Sequence, residues 1–98
     1  MKIISLAKAA AEQPSAWRSA ILGKAGGANF KVLRMDGAVY ADEVHDFDEA
    51  LLVIDGQMNL LVDGQVNFVK AGEVCIVPAG LAHGVAEGSF GTLVIVDQ

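Results

Sequence analysis

The stretch GAVYADEVHDFDEALLVIDG, residues 37–56, places an acidic segment with one histidine directly before a strong β-strand pattern. Acidic composition alone is typical of a solvated loop, but the spacing favours something more specific. Glu43 and His45 stand two residues apart, so on a strand both side chains would point to the same face. Glu49 opens the apolar run 50–54, and a turn between the two segments would return it beside His45. One imidazole with one or two carboxylates begins a site for a divalent first-row metal.

A third group comes from the second histidine of the chain. His83 follows residues 77–82, VPAGLA, in which Pro78 and Gly80 predict a tight turn that directs the chain into the next strand. The chain has only two histidines, and a shared metal ion would account for the positions of both. We therefore interpret His45, Glu49 and His83 as a predicted metal-binding set, with Glu43 beside it.

Glycine-containing turns separate short apolar segments at intervals of roughly 8–12 residues, which predicts an all-β sandwich or barrel. The Asp-Gly pairs at 36–37, 55–56 and 63–64 have the chemistry of type I′ hairpin turns. Residues 53–59 and 61–67 resemble each other, and we interpret them as successive hairpins of a meander. Residues 5–13 predict a short helix or turn with Ser5 as N-cap, ending before Pro14.

Composition restricts the class of protein and its partners. With 98 residues, 53% of them apolar, the chain is expected to form a single domain over residues 1–98. The net charge of −5 and the absence of a basic cluster argue against binding nucleic acid or an anionic membrane. No apolar run is long enough to span a bilayer. Cys75, the one cysteine, permits no internal disulfide and is expected to be a buried, inert thiol. The expected compartment of the protein is the cytoplasm. The apolar excess favours burial through a homodimer.

These residues together spell a known pattern, and the sequence resembles the cupin superfamily. The first cupin motif is glycine, His-x-His, Glu and glycine, and the second is glycine, Pro-x-Gly, His and Asn. Eight of the ten specified positions match at correct spacing, and the matched region runs from residue 37 to residue 87. The matched positions are Gly37, His45, Glu49, Gly56, Gly72, Pro78, Gly80 and His83. The local wording further resembles compact one-domain cupins, some of them labelled similar to mannose-6-phosphate isomerase.

The resemblance implies a cupin double-stranded β-helix, or jelly-roll barrel, after a short N-terminal segment over residues 1–15. It also implies one divalent metal ion (Zn, Mn, Fe or Ni) held by His45, Glu49 and His83. Glu43 stands where the family has its first histidine. It is a fourth ligand, an outer acceptor or catalytic base, or the mark of a site that no longer binds metal. Glu87 replaces an asparagine and is expected to face solvent.

Two functions compete, apart from a purely structural dimer. One is a metal-dependent enzyme acting on a small polar molecule such as a sugar, hydroxy acid or keto acid. The other is a non-catalytic module that binds or senses a metal or small ligand. An open pocket beside the metal site would favour the enzyme, and a plugged barrel would favour the module. Four aromatic residues could line a cavity but are expected in the barrel core or at a dimer interface; these are Trp17, Tyr40, Phe47 and Phe68. Two basic residues on a strand, Lys31 and Arg34, could meet an anionic substrate inside the barrel, although such residues are more often solvated.

Overall fold

All 98 residues are described by the computed structural model, which consists of one short helix and eight strands of a curled antiparallel sheet. The sheet runs in the order β1-β2-β8-β4-β7-β3, with β5 and β6 also paired to β4. This confirms the all-β cupin-type barrel. The elements are α1 Leu6–Ala11, β1 Ala20–Ala25, β2 Ala28–Asp36, β3 Tyr40–Glu43, β4 Glu49–Val62, β5 Gln65–Lys70, β6 Val74–Val77, β7 His83–Val85 and β8 Phe90–Asp97.

Two hairpins close on two-residue turns whose central residues both have positive φ, which is the signature of type I′. Asp63 and Gly64, at φ 51° and 74°, connect β4 to β5 as the Asp-Gly chemistry predicts. Gly26 and Gly27, at φ 59° and 78°, connect β1 to β2. In each hairpin the second strand therefore pairs directly with the first.

The other two Asp-Gly pairs do not form hairpins, so the predicted meander of successive hairpins was wrong. Asp55 and Gly56 lie inside β4, where the register against β8 shifts between Val53 and Asp55. The positive φ that suits a hairpin turn equally suits a bulge within a continuous strand. Asp36-Gly37 leads from β2 to β3, but β3 pairs with β7 and not with β2.

The 14 residues of β4 therefore serve two parts of the barrel. Its first half lies between β8 and β6, and its second half pairs with β5 and β7. Inward-facing side chains of these strands form the main core, of which Met58 and Val53 are fully buried. The whole buried core cluster is Leu33, Met35, Leu51, Val53, Met58, Leu60, Val69, Val77, Val85 and Leu93.

Helix α1 covers part of the outer face of the sheet. The Ser5 hydroxyl accepts a hydrogen bond from the Lys8 backbone amide, which confirms Ser5 as N-cap. The buried Ala10 packs against Val32 and Val94 in a second, smaller core. The Arg34 guanidinium donates to the carbonyls at the end of the helix, including Ala10 O at 3.3 Å. Arg34 thus holds the helix on the outside of the barrel. Its guanidinium does not line the cavity inside the barrel, so the hypothesis that Arg34 could meet a substrate there was wrong.

We expect Cys75 to react slowly with alkylating reagents. The thiol is half-buried beside the main core, and this burial raises its pKa, so little of the reactive thiolate forms. At pH 8, iodoacetamide should modify the folded protein at least about tenfold more slowly than the urea-unfolded chain, as followed by mass spectrometry. Equal rates in the two states would contradict this assignment.

No helix of the protein combines the length and the apolar character that crossing a membrane requires.

Candidate metal centre

Four side chains from three strands and one loop meet at one end of the barrel. Glu43 ends β3 and is the direct cross-strand partner of His83, which begins β7. His45 follows β3 in the loop, and Glu49 begins β4. The turn predicted between His45 and Glu49 is present and returns the carboxylate to the imidazole. These are the four residues that the sequence analysis selected.

Backbone hydrogen bonds join the loop of the first motif to the turn of the second. The Gly80 amide donates to the His45 carbonyl at 2.8 Å, and the Ala79 amide donates to Asp48 Oδ1 at 2.9 Å. Asp48, one of the acidic residues of the loop, therefore positions the Pro78–Gly80 turn. Both histidine-bearing segments are fixed relative to each other before any ligand binds.

The donor atoms lie close enough to share one ion. One potential ligand atom from each of Glu43, His45 and His83 lies within 4.8 Å of the others. Glu49, the fourth residue, has Oε1 at 3.1 Å from His83 Nε2 and Oε2 at 3.9 Å from His45 Nε2. Glu43 Oε2 is 3.3 Å from the same His45 nitrogen. The arrangement offers two imidazole nitrogens between two carboxylates.

Both imidazoles leave Nε2 available for a cation. His83 Nδ1 is 2.9 Å from the Leu81 carbonyl, so in the neutral ring Nδ1 carries the proton and Nε2 presents a lone pair. That lone pair faces Glu49, another acceptor, in a pair of side chains that are both about 93% buried. His45 Nε2 is also buried and has no well-aligned hydrogen bond, despite its short distance from Glu43. A divalent cation would satisfy all of these atoms, so the residues present fit a metal ion.

Glu43 differs from Glu49 in its surroundings. Its side chain is 45% exposed, whereas that of Glu49 is 8% exposed. The negative charge of Glu43 raises the pKa of Tyr40, with smaller contributions from burial and from a hydrogen bond to the same carboxylate. Glu43 thus lies at the open side of the group, beside the Tyr40 hydroxyl.

Tyr40 provides a direct test of this placement because it is the only tyrosine in the chain. In Glu43→Gln the charge is lost, so the pKa of Tyr40 should fall toward its ordinary value of 10.0. The measurement is the tyrosinate absorbance near 295 nm during an alkaline titration of metal-free protein. An unchanged midpoint in the variant would show that Glu43 does not contact Tyr40.

A cavity of about 210 Å³ adjoins the four side chains, so the barrel is not plugged. Three of the aromatic residues expected in the core or at an interface line it instead: Trp17, Tyr40 and Phe47. The rings of Trp17 and Tyr40 are 5.5 Å apart, and Phe47 stacks on His45 at 4.9 Å. Phe68 is exposed on β5 and does not reach the cavity.

The backbone at Trp17 shows how it is placed, and sequence reasoning missed this feature. Its φ of 65° is unusual for a bulky residue and marks a position that the surroundings must enforce. The Trp17 amide donates to the Arg34 carbonyl at 2.9 Å, and the indole Nε1 donates to Asp36 Oδ1 at 2.6 Å. These two bonds hold the ring in the lining of the cavity, and no local sequence signal predicts them.

The two predicted basic residues separate in the structure. Arg34 faces outward onto the helix, as described above. Lys31 lines the cavity and forms an ion pair with Asp97, a buried carboxylate that the sequence analysis did not single out. Glu87, the other departure from the cupin pattern, is exposed in the loop before β8 as expected.

Comparison with known proteins agrees with this architecture. A cupin-2 domain protein from Shewanella frigidimarina superposes with a TM-score of 0.86 at 20% identity, over 97% of this chain and 93% of the other. A Neisseria meningitidis protein gives a TM-score of 0.82 at 24% identity, over 98% of each chain. A Ralstonia eutropha protein, provisionally named a mannose-6-phosphate isomerase, gives 0.71 at 19% identity, over 88% and 86%. At these identities the likeness shows the fold alone.

No curated protein matches the sequence. The family profile described as the cupin domain matches residues 32–97, which include every residue of the candidate metal centre. This chain belongs to the cupin domain family.

Proposed function

We propose that this cupin binds one divalent metal ion through His45, Glu49, His83 and Glu43, and that it is a metal-dependent enzyme acting on a small polar molecule. The observation that carries the proposal is the cluster of donor atoms beside an open cavity. The substrate would be a sugar, a hydroxy acid or a keto acid. When bound, the metal would polarise a carbonyl or hydroxyl oxygen of such a molecule.

The residues around the site would ligate the metal, transfer protons and exclude water. Glu49 and His83 are buried, and Glu49 Oε1 lies 3.1 Å from His83 Nε2, so they suit a fixed ligand role. Glu43 is half-exposed and adjoins Tyr40, which suits a carboxylate that both ligates and moves protons. The aromatic side chains of Trp17, Tyr40 and Phe47 would exclude water from one side of a bound molecule.

The cavity favours an enzyme over a non-catalytic module. Its volume of about 210 Å³ is below the range of about 300–1,000 Å³ that drug-sized ligands occupy. It is nevertheless open space beside the donor atoms, which a purely structural or metal-storage barrel would not need. We therefore propose a substrate of only a few carbon atoms, in a protein whose expected compartment is the cytoplasm.

Catalysis can be tested with metal-loaded protein and a panel of small aldoses, ketoses, hydroxy acids and keto acids, monitored by proton NMR. The name of the Ralstonia neighbour is the reason for including aldose–ketose pairs. We expect at least one compound to be converted, or to exchange a carbon-bound proton with D₂O, only while the metal is present. Glu43→Gln should then slow the conversion more than it weakens metal binding. Binding without conversion or exchange would favour the sensing module instead.

We further propose that the protein is a homodimer, with a second copy covering the outer face beside β6. Val74 and Ile76 are 54% and 61% exposed, and they pair with Leu52 and Ala50 of β4. They thus continue the apolar outer face that α1 covers further along the sheet. Apolar patches that extend a packed face mark interaction surfaces.

Light scattering coupled to size-exclusion chromatography should give twice the chain mass for the wild type and the single chain mass for Ile76→Glu. Ile21→Glu is the matched control because Ile21 is 59% exposed on β1, at the opposite edge of the sheet. A monomeric wild type, or a dimer that survives Ile76→Glu, would contradict this interface.

A further inference from the structure

The end of the barrel that holds the candidate metal centre also holds an ion pair on the neighbouring strands. The register of β4 with β8, Ala50 to Val96 and Leu51 to Ile95, continues to place Glu49 opposite Asp97. On the other side of β8, Asp97 pairs with Asn29 of β2. Lys31 is two residues further along β2 and points into the same cavity. Asp97 therefore lies between the Lys31 ammonium and Glu49 of the metal centre.

Asp97 holds the Lys31 ammonium in place and leaves some of the ammonium's hydrogen-bond donors free. The Lys31 Nζ is 2.8 Å from Asp97 Oδ2, and the second carboxylate oxygen is 3.5 Å from Asn29 Nδ2. Asp97 is 4% exposed, whereas the Lys31 side chain is 21% exposed. An ammonium group has three donors, and the pair with Asp97 uses one of them. The ammonium is thus fixed at the cavity wall with donors left for a ligand.

The charge of the cavity determines which ligand suits this ammonium. Glu43, Glu49 and Asp97 bring three carboxylates against the one charge of Lys31, while neutral histidines add none. Without a cation the cavity repels anions. A divalent metal ion would cancel the excess of two negative charges and leave the lining neutral, which permits a single negative charge to enter. A dianionic phosphate would leave twice the uncompensated negative charge of a monocarboxylate in this small space.

We propose that Lys31 is the carboxylate-binding residue of the cavity, and that the ligand is a small monocarboxylic hydroxy acid or keto acid. Its carboxylate would contact Lys31 while its oxygen-bearing end faces the metal centre. Lys31 on β2 and Glu49 on β4 are separated by β8, and neighbouring strands are about 4.8 Å apart. The backbones that carry Lys31 and Glu49 are therefore about 10 Å apart, a distance that a small ligand between the two side chains can bridge. The inference rests on the proposed metal binding.

Binding can be measured on the full chain loaded with Zn²⁺ or Mn²⁺, using the fluorescence of Trp17 and isothermal calorimetry. Trp17 is the only tryptophan and lines the same cavity. The probes are DL-glycerate, glycerol 3-phosphate and glycerol, which compare a carboxylate, a phosphate and an uncharged molecule of similar size. The variants are Lys31→Met, the double variant Lys31→Met/Asp97→Asn, which avoids an unpaired buried carboxylate, and Lys31→Arg. Lys70→Met, at an exposed position on β5, is the control for loss of one positive charge.

We expect the wild type and Lys70→Met to bind glycerate at least about tenfold more tightly than glycerol or the phosphate, and only with metal present. Both variants that lack the charge should lose at least about tenfold in glycerate affinity while retaining one metal per chain, and Lys31→Arg should retain most of the binding. Equal glycerate affinity in the metal-loaded double variant would overturn the Lys31 assignment and leave the metal site standing. If glycerol 3-phosphate binds more tightly than glycerate, the proposal that the ligand is a monocarboxylate is wrong. A wild type that takes up no metal would overturn both this inference and the proposed function.

Discussion

His83→Ala should lower the affinity for a divalent metal by more than about 100-fold, since even outer partners of metal ligands are worth about 10–100-fold. His83 is buried, its Nδ1 faces the Leu81 carbonyl, and its Nε2 points at Glu49. No other histidine than His45 exists in the chain to replace it. The measurement is a competition titration against a metal indicator dye, with circular dichroism as a check on folding.

Glu87→Gln is the matched control, because it alters a charged side chain four residues away that is exposed outside the cavity. Its metal affinity should equal that of the wild type. If His83→Ala folds and binds metal as tightly as the wild type, the ion is held elsewhere and the assigned centre is wrong.

Gly56→Ala should destabilise the protein by at least about 3 kcal/mol, or prevent folding. Gly56 has φ 76°, a conformation that already disfavours any other residue, and an added Cβ would collide with the backbone carbonyl of Phe90 on the paired strand. Backbone cannot rotate away as a side chain can. For a domain of this size the loss corresponds to a fall in Tm of more than about 10 °C, measurable by calorimetry.

Gly64→Ala separates the two causes. Gly64 has a similar φ of 74°, but a Cβ there would meet nothing within 4 Å. That substitution should cost only the conformational strain, about 1–2 kcal/mol. Similar losses from the two variants would show that β4 does not pass tightly against β8 at Gly56.

The fold could be predicted from the sequence at the level of class but not of connectivity. Turn spacing and the two motifs identified the barrel, and Asp63-Gly64 does form the predicted hairpin. Asp55-Gly56 has the same chemistry but lies inside a 14-residue strand. The local sequence specifies a positive φ at both places. Only the partners decide between a turn and a bulge: β5 folds back on β4 at the first, and β8 lies across β4 at the second.

The candidate site was predictable where spacing encodes contact. Glu43, His45, Glu49 and His83 meet because short loops and one cross-strand pair bring them together. The cavity wall was not predictable in this way. Asp97 lies 66 residues from its partner Lys31, and its position follows from the register of β8 with β2. Trp17 depends on an unusual φ and on hydrogen bonds to Arg34 and Asp36, which no periodicity reveals.

Diffraction from crystals of the metal-loaded protein, collected across the absorption edge of the bound ion, would locate the metal directly. We expect one anomalous peak per chain, at about 2.0–2.2 Å from His45 Nε2, His83 Nε2 and a Glu49 oxygen, with Glu43 as the fourth ligand. A chain that has taken up no ion under these conditions, or a peak held by other residues, would contradict this expectation.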